Sequence, residues 1–382
     1  MLITGSGSKA TASGYDFNVG LWGGTGTVSI ENGGALETNS TDTNVGFDSG
    51  DTGSVLITGA GSTWFANAGA FVGYFGTGTL TIANSGAVVI GETHQIYLGD
   101  GAPGTLNIGA YDGTTTGGTV TGGITAYGNG VINFNQTDAF TLDGALTSYE
   151  PGTGSLVQRG SGTTTLTNAA GFSGTTTIES GRLVVNTSLA SSTLTVGSEG
   201  TLAGTGTVGA LSIADGATIA PGTSPGTLNA GSTTFGAGGN YEWEINAAEG
   251  SAGTNWDVLN ITGTLTITAT AMDPFVIELV SLLGDNSAGA LANFDAAQDY
   301  SYTIATASGG ITGFSADAFS VSTAGFVNNL LGGAWSLAQA GNSLNLNFTA
   351  SAVPEPSTYA AFAGLLALGF AFWRKRQRVG GA

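Results

Sequence analysis

Gly26-Thr27-Val28-Ser29-Ile30, Gly53-Ser54-Val55-Leu56-Ile57, Gly78-Thr79-Leu80-Thr81-Ile82 and Gly104-Thr105-Leu106-Asn107-Ile108 repeat one five-residue pattern, with their final isoleucines 27, 25 and 26 residues apart. A second feature keeps that spacing: Val19-Gly20, Val45-Gly46, Val72-Gly73 and Leu98-Gly99. A third Gly follows three of the isoleucines by four residues, at Gly34, Gly61 and Gly86, and the fourth unit departs with Asp112-Gly113. Within each block, hydroxyl or small residues alternate with Leu, Val or Ile, the period-2 signature of a strand with one apolar face. Threonine and β-branched residues suit a pleated surface, and Gly admits the positive-φ corners between short strands. Regular recurrence at this period predicts coils stacked in register, each adding about 4.8 Å, with Ile and Leu inside and Thr in outward ladders. The expected fold is therefore all-β, a right-handed parallel β-helix. A sandwich of hairpins is the rival, but it would reverse the pattern between neighbours and scatter the spacing.

The repeat also frames the start of the chain. Leu2-Ile3-Thr4-Gly5-Ser6-Gly7-Ser8 matches Leu56-Ile57-Thr58-Gly59-Ala60-Gly61-Ser62, and Ile3 lies 27 residues before Ile30. The chain thus enters mid-coil, without the preceding Val-Gly and without a charged-then-apolar leader. A truncated gene product, with a signal peptide and an opening coil upstream, is the expectation.

From residue 151 the texture changes. Leu156-Val157-Gln158-Arg159-Gly160-Ser161-Gly162-Thr163-Thr164-Thr165-Leu166-Thr167 leads through Phe172-Ser173-Gly174-Thr175-Thr176-Thr177-Ile178 to Gly181-Arg182-Leu183-Val184-Val185-Asn186. This resembles the autotransporter-associated β-strand repeat over about 32 residues, and Gly204–Val208 and Ala220–Leu228 also look like autotransporter passenger segments. The resemblance implies further β-helix coils and no particular chemistry. Four regions are expected: 1–150 as coils of about 26 residues, 151–239 as autotransporter-type coils, 240–350 as terminal coils with a β-rich cap, and 351–382 as a tail. In 240–350 the period is lost. Tyr241–Ile245, Trp256–Ile261, Phe275–Leu279, Tyr300–Ile304 and Leu344–Phe348 read as strands, and Leu279 to Phe294 as containing a short helix. Only 32 residues follow Ala350, too few for a membrane β-barrel of many strands.

Composition excludes several classes. The chain has 382 residues with 67 Gly and no Cys, so a disulfide framework or a cysteine-ligated metal is impossible. Hydrophobic residues make up 41%, which argues against disorder. Residues 1–353 hold three basic and 25 acidic residues, a net charge of −22, which repels nucleic acid and anionic lipid.

The tail has three parts in order. Val353-Pro354-Glu355-Pro356-Ser357-Thr358 is short and rigid. Residues 359–373 carry no charge, and Arg374-Lys375-Arg376-Gln377-Arg378 follows. As a helix the apolar run is about 22 Å long against a hydrocarbon core of about 30 Å. The expectation is a short transmembrane helix, with flanking cations snorkelling and the basic end cytoplasmic. A buried apolar helix is the alternative. The arrangement resembles the PEP-CTERM sorting signal of Gram-negative bacteria. That resemblance implies a sorting motif at Pro354, Glu355 and Pro356 and a cytoplasmic basic anchor at Arg374, Lys375, Arg376 and Arg378. It also implies an exosortase-type membrane protease as partner, delivery through an inner-membrane-anchored intermediate to the cell surface, and an association with exopolysaccharide or biofilm.

Candidate chemistry is sparse. Asp42, Asp48 and Asp51 cluster in sequence, as do Asp138, Asp143 and Glu150, but most sit beside Gly or Ser, where Asp favours turns. Asp48–Gly53 and Gly99-Asp100-Gly101 only faintly resemble calcium loops. His94 is the only histidine and reads as a solvated turn residue. Trp22, Trp64 and Tyr74 are candidates for stacking on sugars, with core or cap packing the equal alternative. The expected function is a non-enzymatic surface or matrix protein with no cofactor or metal. A polysaccharide-active enzyme or a glycan-binding module on the same solenoid is the alternative.

Overall fold

The computed structural model describes residues 1–40, 42–351 and 356–379. The chain is a parallel β-helix. Its first sheet runs the length of the stack, starting with Leu2–Thr4, Thr25–Glu31, Thr52–Thr58, Thr77–Ala83 and Gly104–Ile108 and ending with Phe319–Gly325, with Ala139–Leu142 and Thr163–Leu166 joined to it as a side branch. In the N-terminal half two further parallel sheets complete a three-sided coil. One runs from Lys9–Gly14 to Thr119–Thr121, the other from Phe17–Val19 to Leu146–Ser148.

Register confirms the isoleucine pattern. Ile3 pairs with Ile30, Ile30 with Ile57, Ile57 with Ile82, Ile82 with Ile108, and Ile108 with Phe134. Ile30, Ile57 and Ile82 are completely buried. Full burial of one such side chain is worth roughly 1.5–3 kcal/mol, so the stack is the main source of cohesion between coils. The outward positions form ladders as expected, though amides share them with threonine: Asn107 donates to Thr81 at 3.3 Å and Asn133 to Asn107 at 2.9 Å.

Glycine fixes where the coils turn and how closely they approach. Gly46 and Gly73 have φ of 79° and a Cβ would fall 2.4–2.5 Å from the carbonyl oxygens of Thr77 and Pro103 in the next coil. No other residue fits there. Gly86 has an ordinary φ, but its Cβ would lie 2.7 Å from the Ile57 carbonyl oxygen and 3.0 Å from Ile57 Cγ2. It is Gly because the coil closes directly on the preceding isoleucine.

The coils then change length. Register steps are 24 residues from Phe134 to Gln158, 20 to Ile178 and 18 to Val196. Later steps are 22 from Ile219 to Tyr241, 36 to Ile277 and 44 to Val321. The loss of sequence period after residue 240 therefore reflects longer excursions between strands, while the first sheet continues to Gly325. The short helix expected within Leu279–Phe294 is not formed: the strand runs on to Ser281 and non-helical backbone follows. A 3-10 turn occupies Ala316–Ala318 instead.

The C-terminal end is closed by an antiparallel pair, Ala334–Ala340 with Ser343–Thr349, joined to Tyr300–Ala307. Phe294, Tyr300, Phe326, Trp335 and Phe348 pack together there, with Trp335 and Phe348 centroids 5.1 Å apart. This covers the open core and pairs the edge that a solenoid otherwise exposes.

The tail forms a helix, Pro356–Val379, with Pro at its first position, where its missing N–H costs nothing. It is longer than the expected 359–373 because it begins inside the Pro-Glu-Pro motif and runs through the basic residues. Among the described residues no helix is long and apolar enough to cross a membrane, so the transmembrane segment expected at 359–373 is not borne out. The apolar run of about 22 Å falls short of a core of about 30 Å, so crossing would require the flanking cations to snorkel and the bilayer to thin.

Candidate functional site

The sorting residues expected from the sequence fall only partly within the described residues. Pro354 and Glu355 lie outside the described residues, and Pro356 opens the helix. Arg374, Lys375, Arg376 and Arg378 all fall within the helix, and Arg374 is exposed.

The acidic clusters resolve into structural roles. Asp51 is 2% exposed, and its Oδ1 accepts the Gly23 and Gly24 N–H groups at 2.6 and 3.1 Å. Its Oδ2 accepts the Asp48 N–H at 2.7 Å. The side chain thus ties two successive corners together. Asp138 accepts the Gly117 N–H at 2.8 Å, and Asp143 accepts the Thr167 hydroxyl at 2.9 Å. Both line a hollow of ≈ 440 Å³, but they flank the strand Ala139–Leu142. Five residues of extended chain separate them by roughly 16 Å at Cα, beyond the roughly 5–9.5 Å between the carboxyl groups of glycoside hydrolases. His94 is an exposed turn residue, as expected. No group of three or more His, Asp or Glu suited to a metal occurs among the described residues.

The three cations of the body are all paired across coils. Lys9 meets Glu37, Arg159 meets Glu179 through two contacts of 2.7 and 3.2 Å, and Arg182 meets Glu242 at 3.2 Å. The Arg159 guanidinium holds the Glu179 carboxyl below its usual range, while Glu179 raises Arg159.

One corner concentrates aromatic side chains. It follows the third sheet, just after the Val-Gly pairs. Successive coils place Leu21, Phe47, Tyr74 and Asp100 at its first position, and Tyr127 and Tyr149 of the next two coils sit one residue earlier, level with Gly99: the Tyr127 N–H donates to Leu98 as the Gly99 N–H donates to Val72. Trp22, Asp48, Phe75 and Gly101 take the next, while Gly128 and Glu150 fall level with Asp100. The corner backbone is itself paired from coil to coil: Tyr74 N–H donates to Gly46, Phe75 N–H to Phe47 and Gly101 N–H to Tyr74, at 3.2, 3.1 and 2.5 Å. Phe47 stacks on Tyr74 at 5.9 Å, Tyr127 on Tyr149 at 4.2 Å, and Phe71 on Tyr97 at 4.7 Å on the adjoining sheet face. Trp22, Phe75 and Tyr149 are 87%, 55% and 62% exposed. Asp100, Tyr127, Asn129, Tyr149, Glu150 and Thr153 line a hollow of ≈ 280 Å³. Desolvation raises the Asp100 carboxyl. Desolvation first, then Asp100 and the neighbouring phenols, push Tyr127 up to about 12, so its hydroxyl stays a donor at neutral pH.

Of the three aromatics singled out from sequence, Trp22 and Tyr74 lie on this corner. Trp64 does not: it is fully buried in the core and donates to Thr38 Oγ1 at 3.2 Å. Sequence reading missed Phe47, Phe75, Tyr127 and Tyr149; the offset from the Val-Gly repeat was a signal for Phe47 and Phe75, while Tyr127 and Tyr149 follow coils in which that pair is lost. It also missed Asp257, a fully buried carboxylate that accepts the Gly226 and Glu244 N–H groups at 2.7 and 2.9 Å.

Comparison with known proteins agrees with the repeat reading. A Passenger-associated-transport-repeat family model matches residues 156–185, the segment read above as an autotransporter-associated repeat. The chain is 32% identical over 289 residues to the adhesin BmaC autotransporter of Brucella suis biovar 1, an alignment covering 58% of this chain and 8% of that protein. It is 31% identical over 197 residues to the uncharacterized lipoprotein YdeK of Escherichia coli K12, covering 47% of this chain and 14% of that protein. The chain therefore spans less than a sixth of the length of either relative. Among solved structures, the TibC-catalyzed hyper-glycosylated fragment of TibA shows 17% identity, with 86% of this chain and 89% of that one covered, at a TM-score of 0.22. That overlay adds nothing to the fold assignment, which rests on strand register. The chain is a parallel β-helix whose residues 156–185 match the Passenger-associated-transport-repeat.

Proposed function

We propose that this chain is a non-enzymatic, adhesin-like β-helix exported to the surface of a Gram-negative cell, where it serves as a stalk or matrix component associated with exopolysaccharide. The observation that carries the reading is the coil stack kept in register through the passenger-type repeat, with Asp51 and Asp138 engaged in cross-coil bonds. Similarity to an autotransporter adhesin and to a lipoprotein supports export and a surface location. The right-handed sense of the coil belongs to this reading, since crossovers between parallel strands are right-handed in about 98% of cases.

Sorting is assigned to the tail. Pro354, Glu355 and Pro356 form the segment recognised by an exosortase-type protease. The apolar run 359–373 holds the unprocessed chain at the inner membrane, its flanking cations snorkelling to the headgroups. Arg374, Lys375, Arg376 and Arg378 form the cytoplasmic anchor. The order and adjacency of the three parts support this assignment. Fractionation and C-terminal mass mapping in the native host test it. Replacing Pro354, Glu355 and Pro356 by Ala is expected to leave membrane association intact and to block processing. A mature protein that retains Arg374–Arg378, or normal processing of the Ala variant, would overturn the assignment.

A further inference from the structure

We propose that the aromatic corner between Trp22 and Tyr149 binds an uncharged polysaccharide, with one sugar ring seated in the hollow lined by Asp100, Tyr127 and Tyr149.

Three observations converge on this. First, three of the exposed aromatics share one corner. Trp22, Phe75 and Tyr149 occupy one corner of the first, third and sixth coils. Coils rise by about 4.8 Å each, close to the advance of one hexopyranose in an extended chain, so a glycan lying along the axis meets the same corner in successive coils. Second, the aromatic row is interrupted where a polar floor is needed. Asp100 follows Leu21, Phe47 and Tyr74 at its position and lies in the coil between those that carry Tyr74 and Tyr127, and Gly101 leaves space that the Phe75 ring covers; a Cβ there would lie 2.7 Å from Phe75 Cδ1. Tyr149 is stacked on Tyr127 on one face only and remains 62% exposed. The negative π face of an aromatic ring attracts the weakly positive C–H face of a pyranose. Around it, Asp100 and Glu150 offer acceptors, Asn129 both kinds of group, and the Tyr127 hydroxyl a donor, which is the mixture that sugar hydroxyls need.

Third, charge selects the class of glycan. The body carries a net charge of −22, and all three of its cations are engaged in ion pairs. Asp48, Asp100 and Glu150 add negative charge at the corner itself. A uronate, sulfate or phosphate polymer would be repelled, whereas an uncharged chain is not.

The inference deepens the surface-protein reading and takes its biological setting from it. Its test is carried out on purified full-length chain, so it succeeds or fails independently of the fractionation experiment. Calorimetric titration and affinity electrophoresis would use cellohexaose, laminarihexaose and maltohexaose as neutral probes, alginate as a polyanion and chitosan oligomers as a polycation. Binding to at least one neutral hexasaccharide is expected, weakened about tenfold by Phe75→Ala or Tyr149→Ala. Tyr15→Ala is the control: it removes an aromatic that is 97% exposed and sits on a different corner, between the second and third sheets. Circular dichroism and thermal melts establish that each variant is folded. Three results would overturn the proposal: no neutral probe binding at millimolar concentration, binding unaffected by both corner variants, or binding confined to alginate or chitosan and abolished by salt.

Discussion

Replacing Gly86 by Ala separates close packing from backbone freedom as the reason for a recurring glycine. Gly86 does not have a positive φ, so alanine meets no conformational penalty there. Its Cβ meets the Ile57 carbonyl oxygen at 2.7 Å and Ile57 Cγ2 at 3.0 Å. The oxygen belongs to backbone, so no rotamer change relieves the contact. The two coils must separate by a few tenths of an ångström, at a corner where the Gly86 carbonyl also accepts the Thr119 N–H at 2.9 Å. Strain of this kind costs about 1–3 kcal/mol. Gly284 provides the control, since its Cβ would meet nothing within 4 Å and its φ is ordinary. Gly284→Ala is expected to be neutral or stabilising by about 0.4–1 kcal/mol, through the lower entropy of the unfolded chain. Because coils contact mainly their neighbours, a long array can lose strength locally. Amide exchange in Thr52–Thr58 and Thr77–Ala83 should therefore accompany the global urea midpoint. Faster exchange confined to those strands in Gly86→Ala, and no such change in Gly284→Ala, is the expected result. Equal behaviour of the two variants would refute the close-approach argument.

Other expectations follow from the same geometry. Ile82→Asp places a charge in the fully buried stack and should cost several kcal/mol, while Thr81→Asp on the outward face should cost far less; equal losses in thermal melts would contradict the assigned faces. Asp51→Ala leaves the Gly23, Gly24 and Asp48 N–H groups without their acceptor, about 1–3 kcal/mol for each donor left buried, and should loosen the first two coils in limited proteolysis. Burial, with help from the nearby Glu244 and Glu242 carboxylates, pushes Asp257 well above the usual carboxylate range, although its two backbone N–H bonds pull the other way. The folded state then holds this proton more tightly than the unfolded chain. Its contribution is complete below the ordinary carboxyl pKa of about 4 and is lost as pH rises through the folded value. Melting temperature near pH 5 should exceed that near pH 8, and Asp257→Asn should narrow the gap; an unchanged gap would assign the pH dependence to other groups.

What the sequence determined by itself was the repeating part of the architecture. A parallel strand stack places the same residue type at each level, so Ile30, Ile57, Ile82 and Ile108 announce their own register. The passenger-type repeat at 156–185 was legible for the same reason. Tertiary structure decided whatever depended on how far the chain wanders between strands. The excursions that carry the register from Tyr241 to Ile277 and on to Val321 erase the period without ending the sheet. Tertiary structure also separated the two tryptophans: Trp64 lies within the strand Thr63–Ala66, level with buried Leu36 and Val88, and faces the core, while Trp22 sits on a corner and remains exposed. The aromatic corner shows the division most clearly. Its residues are variable in type and 22 to 27 apart in sequence, and they meet only because stacking brings every coil's corner to within one strand spacing of the next.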